Sequence, residues 1–266
     1  INHNFNSMET PRFTLMVGGR LLSKSFLYDT AEDTRSLQGG IRYETSWLTG
    51  WGLQLVFRPF KSTLDAPSRF SIFGHFERYN YESTRVINNL YSGDQNTVRL
   101  VLPSDLSRWQ AGFKYNYPIK TGQRTHQAGI LIAYHGTLMN IQSNADFLGL
   151  DVHQAEIGIS GDFVVIPRTF NLTLIGGFRP LIFLGNREKE LAMKSDSYGI
   201  SSRVAFHYRG EDGLSLGVHL NLNFIFIELE GMGRDGRVGK EARDQTISIG
   251  FTIGFRSSPT PSDMTD

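Results

Sequence analysis

The chain has 266 residues, a formal net charge of +1 and no cysteine, and this length suffices for one large β domain or two ordinary ones. The near-neutral charge gives no support for nucleic-acid binding, and the lack of cysteine excludes disulfides, thiol catalysis and thiolate metal sites. No apolar run reaches the roughly 18 residues of a transmembrane helix.

Apolar residues alternate with small or polar ones along most of the chain, which predicts β-strands with one apolar and one polar face. In chain order these strands are Phe13–Phe26, Ile41–Trp47, Trp51–Phe57, Phe70–Phe76, Trp109–Tyr117, Ala155–Val165, Phe170–Phe178, Tyr198–Tyr208, Leu214–Phe226 and Ile247–Phe255. The segment Ile41–Trp47 is either a separate strand or an outer extension of the strand at Trp51. The strand at Leu214–Phe226 exceeds the five or six residues usual in soluble domains and the roughly 9–11 that cross a membrane at a tilt.

The connections between strands alternate in length along the chain. Short, turn-like connections are predicted at Lys61–Ser68, Pro118–Arg124, Pro167–Thr169 and Arg209–Gly213. Long polar loops are predicted at Leu27–Thr45, Glu82–Leu106, Asn140–Val152, Gly185–Ser197 and Glu228–Gln245. Short turns at one end and long loops at the other are typical of outer-membrane barrels, where the turns are periplasmic and the loops extracellular.

The sequence therefore predicts an all-β fold, an antiparallel up-and-down transmembrane β-barrel of about ten strands, with eight or twelve as alternatives. We expect a polar N-terminal segment at residues 1–12, the barrel at 13–256 and a polar tail at 257–266. A β-sandwich or a lipocalin-like soluble barrel also alternates. The polar face, rich in glycine, serine, asparagine and charge, would make a poor core for either.

The closing strand carries a resemblance to a known class of proteins. The segment Thr246–Phe255 resembles the C-terminal signal of bacterial outer-membrane barrels, which usually ends at an aromatic residue, whereas here a tail follows Phe255. The resemblance implies a location in the bacterial outer membrane and does not imply an activity. Ile1–Asn4 lacks a leader pattern, so we expect a mature form or a fragment whose leader lay upstream.

The polar face predicts the residues that line the lumen. They are Arg20, Arg58, His75, Glu77, Arg108, Lys114, Glu156, Asp162, Arg179, Arg203, His207 and His219, and the same face carries Lys24 and His135. These side chains form either a cation-rich pore that favours anions or a network of ion pairs that largely fills a narrow lumen. We expect the filled lumen.

Aromatic residues near the short turns predict a girdle at one membrane interface. They are Phe57, Tyr115, Tyr117, Phe163, Phe170, Tyr208 and Phe255.

We expect no catalytic residues, no cofactor and no metal site. Asp151 and His153 share a face near a loop, and an Asp–His pair is similar to one part of the rim site of omptin-type barrel proteases. The rest of that motif is not matched. The charged loop Glu228–Gln245 carries no metal-ligand spacing.

The resulting functional hypothesis is a non-enzymatic outer-membrane protein with a structural, anchoring or protein-interaction role. The alternatives are a narrow, anion-leaning channel for small solutes and a rim-based hydrolase of the omptin type. The expected partners are outer-membrane lipid, lipopolysaccharide and, through loops or tails, other envelope proteins.

Overall fold

The computed structural model describes residues 12–30, 41–45, 47–60, 68–87, 98–122, 124–141, 149–166, 169–185, 193–210, 214–231 and 239–256. They form β1 (Phe13–Thr30), β2 (Ile41–Glu44), β3 (Leu48–Phe57), β4 (Phe70–Ile87), β5 (Val98–Thr121), β6 (Arg124–Ile141), β7 (Gly149–Ile166), β8 (Phe170–Leu184), β9 (Met193–Arg209), β10 (Leu214–Glu230) and β11 (Gly239–Arg256). Among these residues no helix is long and apolar enough to cross a membrane. Of the expected N-terminal segment 1–12 only Arg12 is described, and the expected tail 257–266 lies outside the described residues.

The strands form a closed antiparallel barrel. From β3 to β11 each strand pairs with the next one along the chain, and β1 closes the barrel by pairing with β11. The short β2 and the longer β3 both lie between β1 and β4 and pair with successive parts of them. The barrel therefore has ten strand positions, as predicted, and the segment at Ile41 continues the position of β3.

The strands are strongly tilted. Residues paired across neighbouring strands, followed once around the barrel from Phe13, return to β1 at Ser25. A stagger of about 12 residues over ten strands corresponds to a tilt of roughly 40°. The end at Phe13 and Phe255 carries the β5–β6, β7–β8 and β9–β10 connections, of two to four residues, and the longer β3–β4 connection, of 12 residues at 58–69. This end is called the turn end, and the opposite end is called the loop end.

Several strands are longer than predicted, mainly toward the loop end, and β5 also gains four residues at the turn end. The expected loop at Glu228–Gln245 is mostly strand, because β10 continues to Glu230 and β11 begins at Gly239. The expected loop at Glu82–Leu106 shrinks in the same way, since β4 reaches Ile87 and β5 starts at Val98. The segment of β6, between a predicted turn and a predicted loop, is also a strand, and its turn tightens around Gly122, which has a φ of 60°.

In β10 the cause of this difference is a reversal of polarity along the strand. In the turn-end part of β10, Leu216, Val218 and Leu220 face outward and are exposed, while His219 and Asn221 face inward and are buried. Nearer the loop end the inward residues become apolar and the outward ones become charged. There the inward residues are Ile225, Ile227 and Leu229, and the outward ones are Glu228 and Glu230.

The apolar side chains inside the loop end form one packed cluster. Leu22, Phe26 and Tyr79 are fully buried in it, together with residues from most other strands. The remaining members are Tyr28, Leu106, Met139, Leu150, Val152, Ile182, Ile225, Ile227, Leu229 and Ala242. This apolar cluster lies across the lumen, whereas the apolar residues of the turn-end part face outward.

Candidate functional site

Below the apolar cluster, the lumen is crossed by networks of charged side chains. Glu77 on β4 is at the centre of the first network and is fully buried. Arg20 Nε lies 3.1 Å from Glu77 Oε1, and Arg108 Nη2 lies 2.5 Å from Oε2. His75 Nε2 lies 3.3 Å from Oε1. One carboxylate thus compensates two guanidinium groups, and burial strengthens each of these interactions.

A second network surrounds Glu156 on β7. Arg179 Nε lies 3.1 Å from Glu156 Oε2, and Ser201 Oγ donates to Oε1 at 2.9 Å. His135 also contacts this carboxylate. Arg179 further donates to Gln154 Oε1 at 3.0 Å. The network links the neighbouring strands β6, β7, β8 and β9 along the inner wall.

Two smaller ion pairs lie above and below these networks. Lys24 pairs with Asp244 next to the apolar cluster. Near the turn end, Lys114 Nζ lies 2.5 Å from Asp162 Oδ2, and Thr173 Oγ1 donates to Oδ1 at 2.7 Å.

Inward-facing glycines make room for these long side chains. A Cβ at Gly52 would lie 2.8 Å from Arg20 Nε, and one at Gly250 would collide with the His219 ring. A Cβ at Gly177 would collide with the Glu156 carboxylate. The glycine-rich polar face seen in the sequence is therefore a packing requirement of the charged networks.

The part of the lumen nearest the turn end contains a cavity of about 680 Å³, here called the turn-end cavity. Its wall includes Arg58, Thr169 and Arg209, which stand at strand ends, and it reaches inward to Gln154 and Asp244. The expected ion-pair networks leave the turn-end part of the lumen open, and the side chains packed across the loop end are those of the apolar cluster, which the sequence analysis did not predict. The outward direction of the large apolar side chains leaves this space.

Among the described side chains, cations on the inner wall outnumber carboxylates by two to one. The cations are Arg20, Lys24, Arg58, Arg108, Lys114, Arg179, Arg203 and Arg209, and the carboxylates are Glu77, Glu156, Asp162 and Asp244. Arg203 is held by neutral groups, with its Nε 2.6 Å from Asn221 Oδ1 and its Nη2 3.5 Å from His75 Nδ1. The inner wall therefore carries an excess of positive charge.

The structure places the sequence-predicted site residues as follows. Arg20 is buried against Glu77. The other predicted lumen residues line the turn-end cavity, and they are Arg58, His75, Glu77, Arg108, Lys114, Glu156, Asp162, Arg179, Arg203, His207 and His219. The predicted girdle residues are all exposed on the outer wall, and they are Phe57, Tyr115, Tyr117, Phe163, Phe170, Tyr208 and Phe255.

Sequence reasoning missed two charged residues of the inner wall. Arg209 was assigned to a turn and Asp244 to a loop, yet both line the turn-end cavity. The signal that could have found them is spacing, because Arg209 follows His207 by two residues and Asp244 precedes Thr246 by two. Both continue the alternation of their strands beyond the predicted boundaries.

Asp151 and His153 lie on the outer wall of β7 and not in the lumen. His153 Nε2 is 3.1 Å from Asp151 Oδ1, and its Nδ1 is 2.5 Å from the Tyr134 hydroxyl. The Trp109 ring packs edge-on against His153, with ring centroids 6.2 Å apart. Within the part of the chain that the structure describes, no group of three or more His, Cys, Asp or Glu residues could hold a metal ion.

Comparison with known proteins finds similarity in structure only. No family model matches the chain, and no curated protein sequence matches it. The outer-membrane protease OmpT from Escherichia coli matches with a TM-score of 0.57 and 8% identity, covering 92% of this chain and 96% of that one.

Two further solved structures match with lower scores. The outer-membrane protein OprG from Pseudomonas aeruginosa has a TM-score of 0.41 and 10% identity, covering 96% of this chain and 98% of that one. Neisserial surface protein A has a TM-score of 0.29 and 8% identity, covering 92% and 96%. At these identities the likeness concerns the fold, for which the match to OmpT has the highest TM-score of the three.

The outer wall completes the assignment. Exposed Ile130, Ile132, Ile157 and Ile159 lie side by side on β6 and β7, and an apolar surface of this extent is suited to lipid. With its closed ten-stranded fold, apolar outer wall and polar lumen, the chain has the architecture of bacterial outer-membrane β-barrels.

Proposed function

We propose that this barrel is a non-conducting, non-enzymatic outer-membrane protein with a structural, anchoring or protein-interaction role. The observation that supports this proposal is the apolar cluster across the loop end of the lumen. Leu22, Tyr79, Leu106 and Val152 are fully buried there, and protein interiors packed in this way leave few spaces as large as a water molecule. An apolar constriction also opposes the passage of ions by excluding water.

The outer surface at the loop end supports an interaction role. Its strands carry exposed charged side chains, among them Glu228, Glu230 and Arg243, on a wall that stands outside the lipid. We propose that this surface and the loops contact lipopolysaccharide and other envelope proteins, while the apolar wall contacts lipid.

Conductance in planar bilayers tests the closed lumen. We expect the refolded wild-type protein to give no current steps. Replacing the paired residues Tyr79 and Leu106 by alanine removes two large side chains of the apolar cluster, and this double variant should conduct. The matched control is Phe113→Ala with Ile132→Ala, a paired set on the outer wall, which should stay silent. Steady current through the wild type would contradict the proposal.

A second candidate is the narrow, anion-leaning channel, which the turn-end cavity and the cationic inner wall favour. It requires a path through the apolar cluster. Wild-type conductance with a preference for chloride over potassium would select this candidate.

The omptin-type hydrolase is the third candidate. Tyr134, His153 and Asp151 form a hydrogen-bonded row on the outer wall, where amphipathic side chains also serve as interface anchors. We expect no peptide hydrolysis by the purified protein. Hydrolysis that is present in the wild type and lost in Asp151→Asn would contradict the non-enzymatic proposal.

A further inference from the structure

We propose that the turn-end cavity binds a small molecule that carries a carboxylate or phosphate group and that enters from the periplasm. Arg58, Lys114 and Arg209 would hold the anionic group near the cavity mouth. This inference goes beyond the proposed function. Binding of the anion does not depend on that function, whereas entry from the periplasm rests on its closed loop end.

The three cations are brought together from distant parts of the chain. Arg58 follows the end of β3, Lys114 lies on β5 and Arg209 ends β9, and all three line the turn-end cavity. Arg58 and Arg209 lie close enough to repel each other, and each is attracted by Asp162. The sequence separation of these residues hides the cluster until the barrel closes.

Asp162 is the carboxylate that faces this cluster among the described side chains. Its two oxygens already accept from Lys114 Nζ at 2.5 Å and Thr173 Oγ1 at 2.7 Å. Counted over the described side chains, three cations around one carboxylate leave an excess of positive charge. In a cavity walled by protein, that excess attracts an anion more strongly than it would in open water.

The neighbouring polar groups suit an oxyanion. In its better-fitting orientation the Asn171 amide oxygen accepts from Arg209 Nε at 3.2 Å, which orients that guanidinium. Guanidinium groups present planar sets of donors that match the geometry of carboxylates and phosphates. Arg58 and Arg209 can therefore donate to such a group, while Lys114 contributes a point charge.

The size and walls of the cavity suit a small organic molecule. A volume of about 680 Å³ lies within the roughly 300–1,000 Å³ of typical ligand sites. Val56, Phe73 and Ile175 add apolar wall. Since the apolar cluster closes the far end, the ligand reaches the site from the periplasmic mouth. This favours an anionic group on a body that is partly apolar.

Titration calorimetry on the refolded full-length protein tests the proposal, in phosphate-free buffer at low ionic strength. The probes are inorganic phosphate and succinate. We expect saturable binding of at least one of them, and the stronger probe identifies phosphate or carboxylate as the preferred group. Failure of both probes to saturate would overturn the proposal.

Three variants and a control locate the site. Arg58→Gln and Arg209→Gln should each weaken binding about tenfold. Asp162→Asn should tighten it several-fold, because the competing carboxylate is removed. Arg69→Gln changes an exposed cation outside the cavity and should leave affinity unchanged. The assignment would be overturned if Arg69→Gln weakened binding as much as Arg58→Gln and Arg209→Gln do. It would also be overturned if Asp162→Asn bound more weakly than the wild type while showing the wild-type heat-modifiable mobility of a folded barrel.

Discussion

Glu77 shows how much a single buried residue contributes to the lumen. Its two oxygens hold Arg20 and Arg108, and its side chain is 1% exposed. The alternation of the sequence predicts that all three face inward, because each lies on the polar face of its strand. It does not predict that they meet, since Arg20 and Glu77 are 57 residues apart and their pairing depends on the register of β1, β3 and β4.

Removing the charge of Glu77 should destabilise the barrel strongly. Glu77→Gln keeps the shape of the side chain but leaves two buried guanidinium groups without their carboxylate. Breaking a buried pair in this way typically costs roughly 3–5 kcal/mol. The urea concentration at the midpoint of unfolding in detergent should fall accordingly.

The matched control for this change is Glu241→Gln. Glu241 pairs with Arg243 at 2.6 Å on the outer wall, where the Arg243 side chain is 46% exposed. A pair of this kind contributes about 0–1 kcal/mol, so the midpoint should hardly move. Equal losses for the two variants would contradict the compensating role assigned to Glu77.

At the scale of the element, the strands show where sequence reasoning succeeds and where it fails. Alternation finds the lipid-facing strands, because lipid outside and polar groups inside give strong contrast. It loses the loop ends of β10 and β11, because there apolar side chains such as Ile227 and Ala242 face inward and charged ones such as Arg243 face outward, which reverses the contrast. Where the apolar side of a strand switches from outward to inward midway, a search for one continuous apolar face takes the second half of the strand for a loop.

Two adjacent glycines of β1 give a sharp test of strand packing. A Cβ at Gly18 would collide with the backbone carbonyl of Phe251 on β11, whereas one at Gly19 would meet nothing within 4 Å. Gly18→Ala should therefore disturb the closing strand pair, since backbone atoms cannot move aside as a flexible side chain can.

The measurement is the fraction of protein that refolds to the heat-modifiable form. We expect a clear loss for Gly18→Ala and wild-type behaviour for Gly19→Ala. Normal refolding of Gly18→Ala would show that β1 and β11 are less closely packed than described.

At the scale of the whole molecule, the barrel has two parts with different surroundings. The turn-end part has an apolar wall toward lipid and a polar lumen, and the loop-end part has a polar wall and an apolar interior. The sequence predicts the barrel class, the strand number and the inner and outer faces of the first part. The apolar cluster, the turn-end cavity and the cation cluster at its mouth depend on residues brought together by closure and tilt, which periodicity does not encode.

Single cysteines test this division, because the chain has none of its own. Glu228→Cys should react with a membrane-impermeant maleimide on intact cells, since Glu228 faces outward near the loop end. Ile159→Cys should not react, although Ile159 is 70% exposed, because lipid covers it. The cysteine-free parent gives the background, and labelling of Ile159→Cys would contradict the placement of the lipid-facing wall.

The polarity reversal along β10 also fixes the depth of the barrel in the bilayer. At a tilt of roughly 40°, the outward apolar series from Leu214 to Phe226 spans about 30 Å, close to the thickness of a hydrocarbon core. A shift of two residues toward the periplasm would carry Glu228 into lipid and, on the opposite side, pull Leu214 into water. The polarity of the strands is therefore sufficient to set the position of the barrel along the bilayer normal.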